Sequence, residues 1–511
     1  MKINMEKIIT FLGIIFLILI IIINLFFSAY LDVSEHITIN KNNIIFIFGI
    51  ILIGILMYEI TNLINNYIEK KISSKKIKNI LLAFSLIIYI VANIINIIMF
   101  TPPIVGDQIH ACNLAQTFYN GNLEEFLPNL TYAGIPLSSY MQKYHQQISL
   151  AFVFSIFFRI IHFDDIGILR VLNIVGNILT YIALYKIMNK LSKDYKVNKI
   201  LGIILIVTFI PLILLNTFIY GDLLSLGLGL SLFSIYFIMK YTETRKLLYP
   251  ISASIFMMIA YMMRMNCLIY IIATVIYLIL DTIKNYKINT KKEKIIQCLI
   301  IILYIILSMI PATLVQKYYL NKYNLKQEEA YPNISYFLMA MEESWRGNGW
   351  YNEDIGEYAL KNTENAKIEY PEKIKERLKY FINNPGYTID FYFKKVASMW
   401  AENTYSSVRS NIGDEDEAKK IYEPLACYEK AMLMLSSVCC LITIIKNKNN
   451  LSLDLIFLIT IFIGGFAFHI LWEAKSRYII PYIVVLIPIA SIIIDRKEVM
   501  KKDRIKLLDE K

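Results

Sequence analysis

Cysteine is scarce in this sequence, and where it occurs it lacks metal-ligand spacing. Cys112, Cys267, Cys298, Cys427, Cys439 and Cys440 are scattered, and the last two lie inside an apolar run. That excludes a cysteine metal site and a disulfide framework. A small-x-small cleavage site is missing after the first apolar run, Ile8 to Phe27, which is also longer than a signal h-region, so this run is expected to stay as an anchor. Internal symmetry is missing too: no paired segments carry Gly or Pro at matching mid-span positions, as many secondary transporters do. Charge is the last shortage. Only 18% of the 511 residues are Asp, Glu, Lys or Arg, against 57% hydrophobic, and a soluble enzyme is thereby excluded.

What the chain has instead is a succession of apolar runs of about 20 residues, the length that crosses a bilayer as a helix. The sequence reads as an all-α polytopic membrane protein. Its formal net charge of +11 reports topology, because most Lys and Arg fall in short connectors while Asp and Glu concentrate in two long ones. Lys70, Lys71, Lys75, Lys76 and Lys78 mark one connector as cytoplasmic, and Lys186, Lys190, Lys193, Lys196 and Lys199 mark another. Only Ile168 to Ile187 can cross between the outer loop and that second connector. The apolar stretch Gln147 to Phe163 is therefore expected to lie in the outer interface or to re-enter from it. The block Leu247 to Leu280 is too long for one span and basic on both flanks, which predicts a hairpin with Arg264 at its outer turn. Continued to the end, the alternation predicts about twelve spans with both termini inside. The expected divisions are 1–78 (two helices and a cytoplasmic loop), 79–315 (a transmembrane core with outer loop 101–166), 316–425 (a small helical extramembrane domain) and 426–511 (the last helices and a cytoplasmic tail).

This topology brings ionisable residues from distant parts of the chain to one outer face: Asp107, Asp222, Arg264, Lys475 and Arg477. Carboxylates near cations at an interface suit a reaction between an anionic lipid headgroup and a hydroxyl or amine acceptor. A carboxylate can take the acceptor proton, and Arg or Lys can neutralise a phosphate leaving group. Each residue also has a plainer reading. Asp107 and Asp222 could cap the helices that follow them. Arg264 could be a snorkelling anchor. Lys475 and Arg477 depart from the positive-inside expectation in a short outer turn, which favours a bound anion. Trp345, Trp350, Tyr351 and Trp400 fit an aromatic belt or a domain core. His110 shares a helix face with Asp107 and could join it at a divalent cation, but no third ligand is near in sequence.

Four short motifs in this order carry a resemblance: Gly106-Asp107-Gln108 in the first long outer loop, Tyr220-Gly221-Asp222 after a later outward span, Arg264 in the following hairpin, and Arg477-Tyr478-Ile479-Ile480-Pro481 near the end. Together they resemble membrane glycosyltransferases of the GT-C class, in particular the bacterial relatives of protein O-mannosyltransferases (glycosyltransferase family 39). The resemblance implies a bundle with juxtamembrane helices in the first loop. It also implies a polyprenyl-phosphate-linked sugar as donor and a cell-envelope polymer, lipid or protein as acceptor. Asp107 would be the general base and Asp222 a second acid of the site. Arg264 and Arg477 would hold the lipid phosphate, with Lys475, Gln108 and Tyr478 as further substrate contacts. Two features depart from the family: many relatives carry an acid where Gln108 stands, and two extra spans precede the first loop. A transporter or flippase of lipid-linked sugars, and a polymer ligase or polymerase using a pyrophosphate carrier, are the rival readings.

Overall fold

The computed structural model of the protein describes residues 5–71, 75–121, 131–132, 135–220, 224–286, 290–326 and 329–493. The chain is nearly all helical. Helix α1 (Met5–Phe26) leads into a hairpin of β1 (Phe27–Leu31) and β2 (Ile37–Lys41), followed by α2 (Ile44–Lys71) and α3 (Lys75–Met99). The first long loop holds α4 (Asp107–Asn120), the two-residue strands β3 (Thr131–Tyr132) and β4 (Ile135–Pro136), α5 (Leu137–Lys143) and α6 (His145–Ile161). Next come α7 (Ile166–Leu191), α8 (Lys199–Val207), α9 (Ile210–Leu214), α10 (Ser225–Thr244), α11 (Leu248–Met263), α12 (Leu268–Lys284) and α13 (Lys291–Lys322). The segment between α13 and α18, expected from sequence to be extramembrane, carries α14 (Ile334–Met339), α15 (Glu353–Lys361), α16 (Thr363–Asn383) and α17 (Pro385–Trp400). Helices α18 (Glu415–Asn447) and α19 (Leu453–Leu471) and the short α20 (Ile480–Ile483) and α21 (Leu486–Ala490) complete it.

Among the described residues, 8 helices are long and apolar enough to cross a membrane, and the bent pair α8–α9 makes up to 9. The hairpin expected over Leu247 to Leu280 is present, broken at Arg264, though its first arm, α11, has only 16 residues. The stretch expected as a last span from Tyr478 is not one helix: a 3-10 turn at Ser476–Ile479, α20 and α21 follow one another. The tail from residue 494 lies outside the described residues. Two expectations are corrected. The polar loop after the first span is a β-hairpin, so the fold is not strictly all-α. The edges drawn at 316 and 425 fall inside the continuous helices α13 and α18, because apolar periodicity ends before the helical hydrogen bonding does.

Helix contacts follow small residues and buried stripes. Ile9, Gly13, Leu17, Ile20 and Ile23 recur on the buried face of α1, which packs against α18 and α19. Helices α7 and α10 cross where a Cβ on Gly176 would lie 1.9 Å from the Leu226 nitrogen, so only glycine permits that approach. Helix α6 packs against α4, α11 and α13, and most of its length is buried.

The broken span formed by α8 and α9, bent by 42°, ends in a 3-10 turn at Leu215–Thr217 and leaves backbone carbonyls inside the bundle, where no water can satisfy them. Asparagine side chains take that role. Asn177 Nδ2 donates to Leu212 O at 3.0 Å, Asn96 Nδ2 to Ile213 O at 3.1 Å, and Asn411 Nδ2 to Leu214 O at 3.0 Å. Asn173 Nδ2 donates to Asn216 O at 3.0 Å and Phe218 O at 2.9 Å. Asn216 itself accepts from Asn96 at 2.7 Å and donates to the Asn93 side-chain oxygen at 3.1 Å. At the opposite end of the bundle, Lys190 joins Glu243 at 3.0 Å and Asp454 at 3.4 Å, and Tyr277 donates to Asp454 at 2.5 Å, tying α7, α10, α12 and α19.

Replacing Asn216 with Leu removes the centre of this set and takes one hydrogen-bond partner from each of the Asn93 and Asn96 side chains. The expected loss is on the order of 2 kcal/mol, read as a lowered melting temperature of the detergent-solubilised protein; an unchanged melting temperature would show that the network does not hold the end of the broken span.

Candidate functional site

The segments expected at one outer face do meet at one end of the bundle. The hairpin docks on the extramembrane segment through Ala29 N to Ala401 O at 3.0 Å and Ile37 N to Arg346 O at 2.9 Å. The turn after α19 joins the same body through Ala474 N to Gly349 O at 2.8 Å. Gly349 adopts φ 72°, and a Cβ there would lie 2.7 Å from Lys395 Cδ. Lys395 is buried beneath the turn and gives all its protons to carbonyls, those of Ala340 at 2.8 Å, Ile470 at 2.7 Å and Trp472 at 2.9 Å. Burial pulls its ammonium down to about 7 against the opposing charge of Glu473. Its role is to fix where the turn 472–478 begins.

Between these parts lies a cleft of about 430 Å³ whose lining includes Glu35, Asp107, Gln108, Tyr220, Arg409, Lys475 and Arg477. Four of these were expected from sequence as site residues. Asp107 opens α4 but does not cap it: Gly106, at φ 55°, holds the cap position. The plainer reading of Asp107 is thereby corrected. Its carboxylate accepts instead from the Tyr140 hydroxyl at 3.2 Å. Burial first, with the neighbouring Tyr220 and Asp107 charges, keeps that phenol well above its ordinary value, so it is a donor. Gln108 Oε1 accepts from Ile219 N at 2.8 Å, and Gln147 Nε2 donates to the Tyr220 hydroxyl at 2.6 Å. These bonds pin the stretch leaving the α8–α9 bend against α4 and α6.

Arg264 stands in extended backbone at the break between α11 and α12. Its guanidinium lies 5.8 Å from the ring of Tyr220 and 5.7 Å from that of Tyr478, so it faces site aromatics, as cations do. Arg477 is buried, 4.8 Å from the ring of Phe218 and 5.7 Å from Tyr478. Arg264, Arg477 and Tyr478 thus meet Tyr220 and Phe218 beside the cleft. Asp222 lies outside the described residues, two positions beyond Tyr220. His110 stacks on Tyr140 with ring centroids 4.2 Å apart, and among the described residues no group of three His, Cys, Asp or Glu could hold a metal. Trp350 and Trp400 are fully buried, as core residues are, whereas Trp345 is exposed.

Sequence reasoning missed Glu35 and Arg409. The Glu35 carboxylate, at the tip of the β1–β2 hairpin, meets Arg346 at 3.0 Å, Arg409 at 3.5 Å and Lys475 at 3.7 Å. The anion expected at the Lys475 turn is therefore supplied, for Lys475, from within the chain. Burial alone would push the Glu35 carboxyl up, but Lys475, Arg409, Arg477 and Arg346 together hold it down at about 2. Burial opposes the charge of Lys475 in turn, and Glu35 raises it above its usual range. The only sequence signal was an acid in a short polar loop, which looks like any solvated turn. Arranged this way, the cleft offers one carboxylate held by a phenol, next to a cluster of cations in excess over their counter-charges. It can bind an anionic group and accept a proton from a neighbouring hydroxyl.

Glu35→Gln leaves Arg346, Arg409 and Lys475 crowded without their shared counter-charge, a change that costs about 3 kcal/mol where a buried ion pair is broken. The folded carboxyl lies below its ordinary 4.5, at about 2. Its stabilisation is thus complete above pH 4.5 and is lost as the pH falls towards 2. Thermal denaturation should separate wild type from the variant at pH 7 and bring them together as the pH is lowered through that window; a pH-independent gap would show that the charge is not what holds the hairpin.

Comparison of the chain with protein families, with curated proteins and with solved structures finds no match.

Proposed function

We propose that this multi-pass membrane protein is a glycosyltransferase that moves a sugar from a polyprenyl-phosphate donor to a hydroxyl or amine of an envelope polymer, lipid or protein. In this reading the cleft faces the extracytoplasmic side of the cell membrane, and about twelve membrane passes form a GT-C-like bundle in which α4 and α6 are the juxtamembrane helices. The observation that carries it is the cleft itself. Asp107 from the first long loop, Arg409 from the extramembrane segment, and Lys475 and Arg477 from the end of the chain line one space. A transfer between a lipid phosphate and an acceptor needs those two kinds of group side by side.

Asp107 takes the proton of the acceptor group as its lone pair attacks the anomeric carbon. The bond from that carbon to the phosphate oxygen breaks in line, so configuration inverts, and the electron pair leaves with the polyprenyl phosphate. Lys475, Arg477, Arg409 and Arg264 offset the charge that grows on that leaving group. Tyr140, bonded to Asp107, keeps the carboxylate oriented while leaving its second oxygen for the acceptor. Asp222, close in sequence to Tyr220, is the second acid of the site in this reading. A divalent cation is not required by this scheme.

Asp107→Asn keeps the hydrogen bond from Tyr140 but removes the base. Transfer from a labelled polyprenyl-phosphate sugar to acceptor should fall by at least about 100-fold, with the melting temperature unchanged. Near-normal turnover would remove Asp107 from the chemistry. Transfer only from pyrophosphate carriers would favour the ligase reading, and lipid equilibration across vesicles without product would favour a flippase.

A further inference from the structure

Two opposite charges at the end of the bundle away from the cleft have no part in the scheme above. Glu415, at the start of α18, accepts hydrogen bonds from Tyr30 and from the backbone of Val33, which lines the cleft. Lys446 stands in the last turn of the same helix, and so lies about 45 Å further along the bundle. Beside it, α2 and α18 leave between them a groove of about 370 Å³. Its walls are mostly apolar, and Ile51, Ile55, Val438 and Ile442 among them are exposed. The charged residues of the lining are Glu59 and Lys446. Among the described residues neither side chain forms an ion pair or a hydrogen bond, with the other or with any third group.

Glu59 is the innermost lining residue on α2, and Lys446 and Asn447 are the innermost on α18, so both charges stand at one end of the groove. A carboxylate on a membrane-spanning helix is costly unless it faces a partner, and marks a site by default. Thr443 and Asn447, next to Lys446, are engaged within the chain: Thr443 donates to Ile492 O at 3.4 Å and Asn447 to Thr443 O at 2.9 Å. From Ile50 to Glu59 the apolar part runs about 14 Å along α2, long enough for much of an acyl chain. An apolar slot with a separate acid and base at its mouth matches an amphiphile whose head carries both charges. An anionic lipid satisfies Lys446 and is repelled by Glu59, and a cationic amphiphile does the reverse. A phosphate joined to an ammonium satisfies both.

We propose that this groove binds a phosphatidylethanolamine molecule from the bilayer, with one acyl chain between α2 and α18, its phosphate on Lys446 and its ammonium on Glu59. The inference does not rest on the glycosyltransferase reading, in which the donor phosphate belongs at the other end of the bundle. Helix α2 is lightly packed, with 17% of its most apolar stretch buried. A lipid that bridges it to α18 therefore stabilises the folded chain by binding it.

The test titrates delipidated full-length protein in detergent with phosphatidylethanolamine, phosphatidylglycerol, phosphatidylcholine and undecaprenyl phosphate. Bound lipid is counted by native mass spectrometry, and the melting temperature is recorded alongside. Wild type should bind phosphatidylethanolamine about tenfold more tightly than phosphatidylglycerol, which has no ammonium, and than phosphatidylcholine, whose ammonium has no N–H to donate. The melting temperature should rise with that binding. Glu59→Gln should erase the preference over phosphatidylglycerol, and Lys446→Gln should weaken both. Val438→Trp fills the groove without altering a charge; it should abolish the specific binding, and it serves if a charge variant fails to fold. Equal binding of the three phospholipids by wild type would mean ordinary surrounding lipid and overturn the proposal. So would a preference that survives both Glu59→Gln and Val438→Trp. Tighter binding of undecaprenyl phosphate, lost in Val438→Trp, would assign the groove to an isoprenoid chain instead. A chain truncated after Ile493 that shows the preference when the full chain does not would assign it to the tail. Either result would likewise overturn the proposal.

Discussion

The end of the broken span α8–α9, which stops inside the bundle at a 3-10 turn over Leu215–Thr217, is the constraint on which the site depends. A helix that stops inside an apolar bundle leaves carbonyls with no solvent to bond, and a bilayer supplies no substitute. The chain meets that demand with Asn96 on α3, Asn173 and Asn177 on α7 and Asn411 from the extramembrane segment, all directed at carbonyls between Leu212 and Phe218. The end of the broken span is therefore held by side-chain hydrogen bonds where solvent is absent. It delivers Phe218, Ile219 and Tyr220 to the cleft at a fixed height: Ile219 bonds Gln108, Tyr220 accepts from Gln147, and Arg264 and Arg477 lie against the rings on either side.

A second constraint acts at the rim. Glu35, Arg346, Arg409 and Lys475 come from the hairpin, the extramembrane segment and the turn before α20, and they share one cluster of charge. Cations gathered in one cleft repel one another. A resident carboxylate relieves that repulsion in the empty cleft, and it also fastens the hairpin tip beside Asp107. Charge balance and chain organisation are thus achieved by the same contacts. Lys395 does comparable work one layer below, where its three bonds to carbonyls set the start of the turn that carries Glu473, Lys475 and Arg477.

Much of this was legible in the sequence because lipid is a severe filter. Runs long enough to cross, Lys-rich connectors and the break at Arg264 follow from composition, and α19 begins and ends at the residues the apolar run predicted, Leu453 and Leu471. The gathering of Asp107, Lys475 and Arg477 at one end of the bundle followed from counting crossings alone. What was not legible depends on pairing rather than on transfer into lipid. Leu31 to Asn42 reads as a polar connector, because the hairpin that runs from Phe27 to Lys41 has too few residues to show alternation, and it is held by contacts with Ala401 and Arg346 far along the chain. Glu35 and Arg409 look like solvated charges until tertiary contacts bury them. The helix ends at 316 and 425 were misplaced because α13 and α18 continue past the apolar zone into the extramembrane segment, where hydrogen bonding persists without hydrophobicity.

Gln108 shows how a residue that the proposed reading does not expect is accounted for locally. The proposed reading, taken from the sequence motifs, would expect a second acid at that position. Here the side chain is buried, and its oxygen accepts the Ile219 backbone N–H. Either a carboxylate or an amide could accept that bond. A carboxylate would also place a second negative charge next to Asp107, in a position too buried for water to screen it, and would raise the proton affinity of both. The amide keeps the structural bond and omits the charge. The Asp107 carboxylate is then bonded by Tyr140 rather than placed against an adjacent acid, which is what the proposed role of a single general base would require.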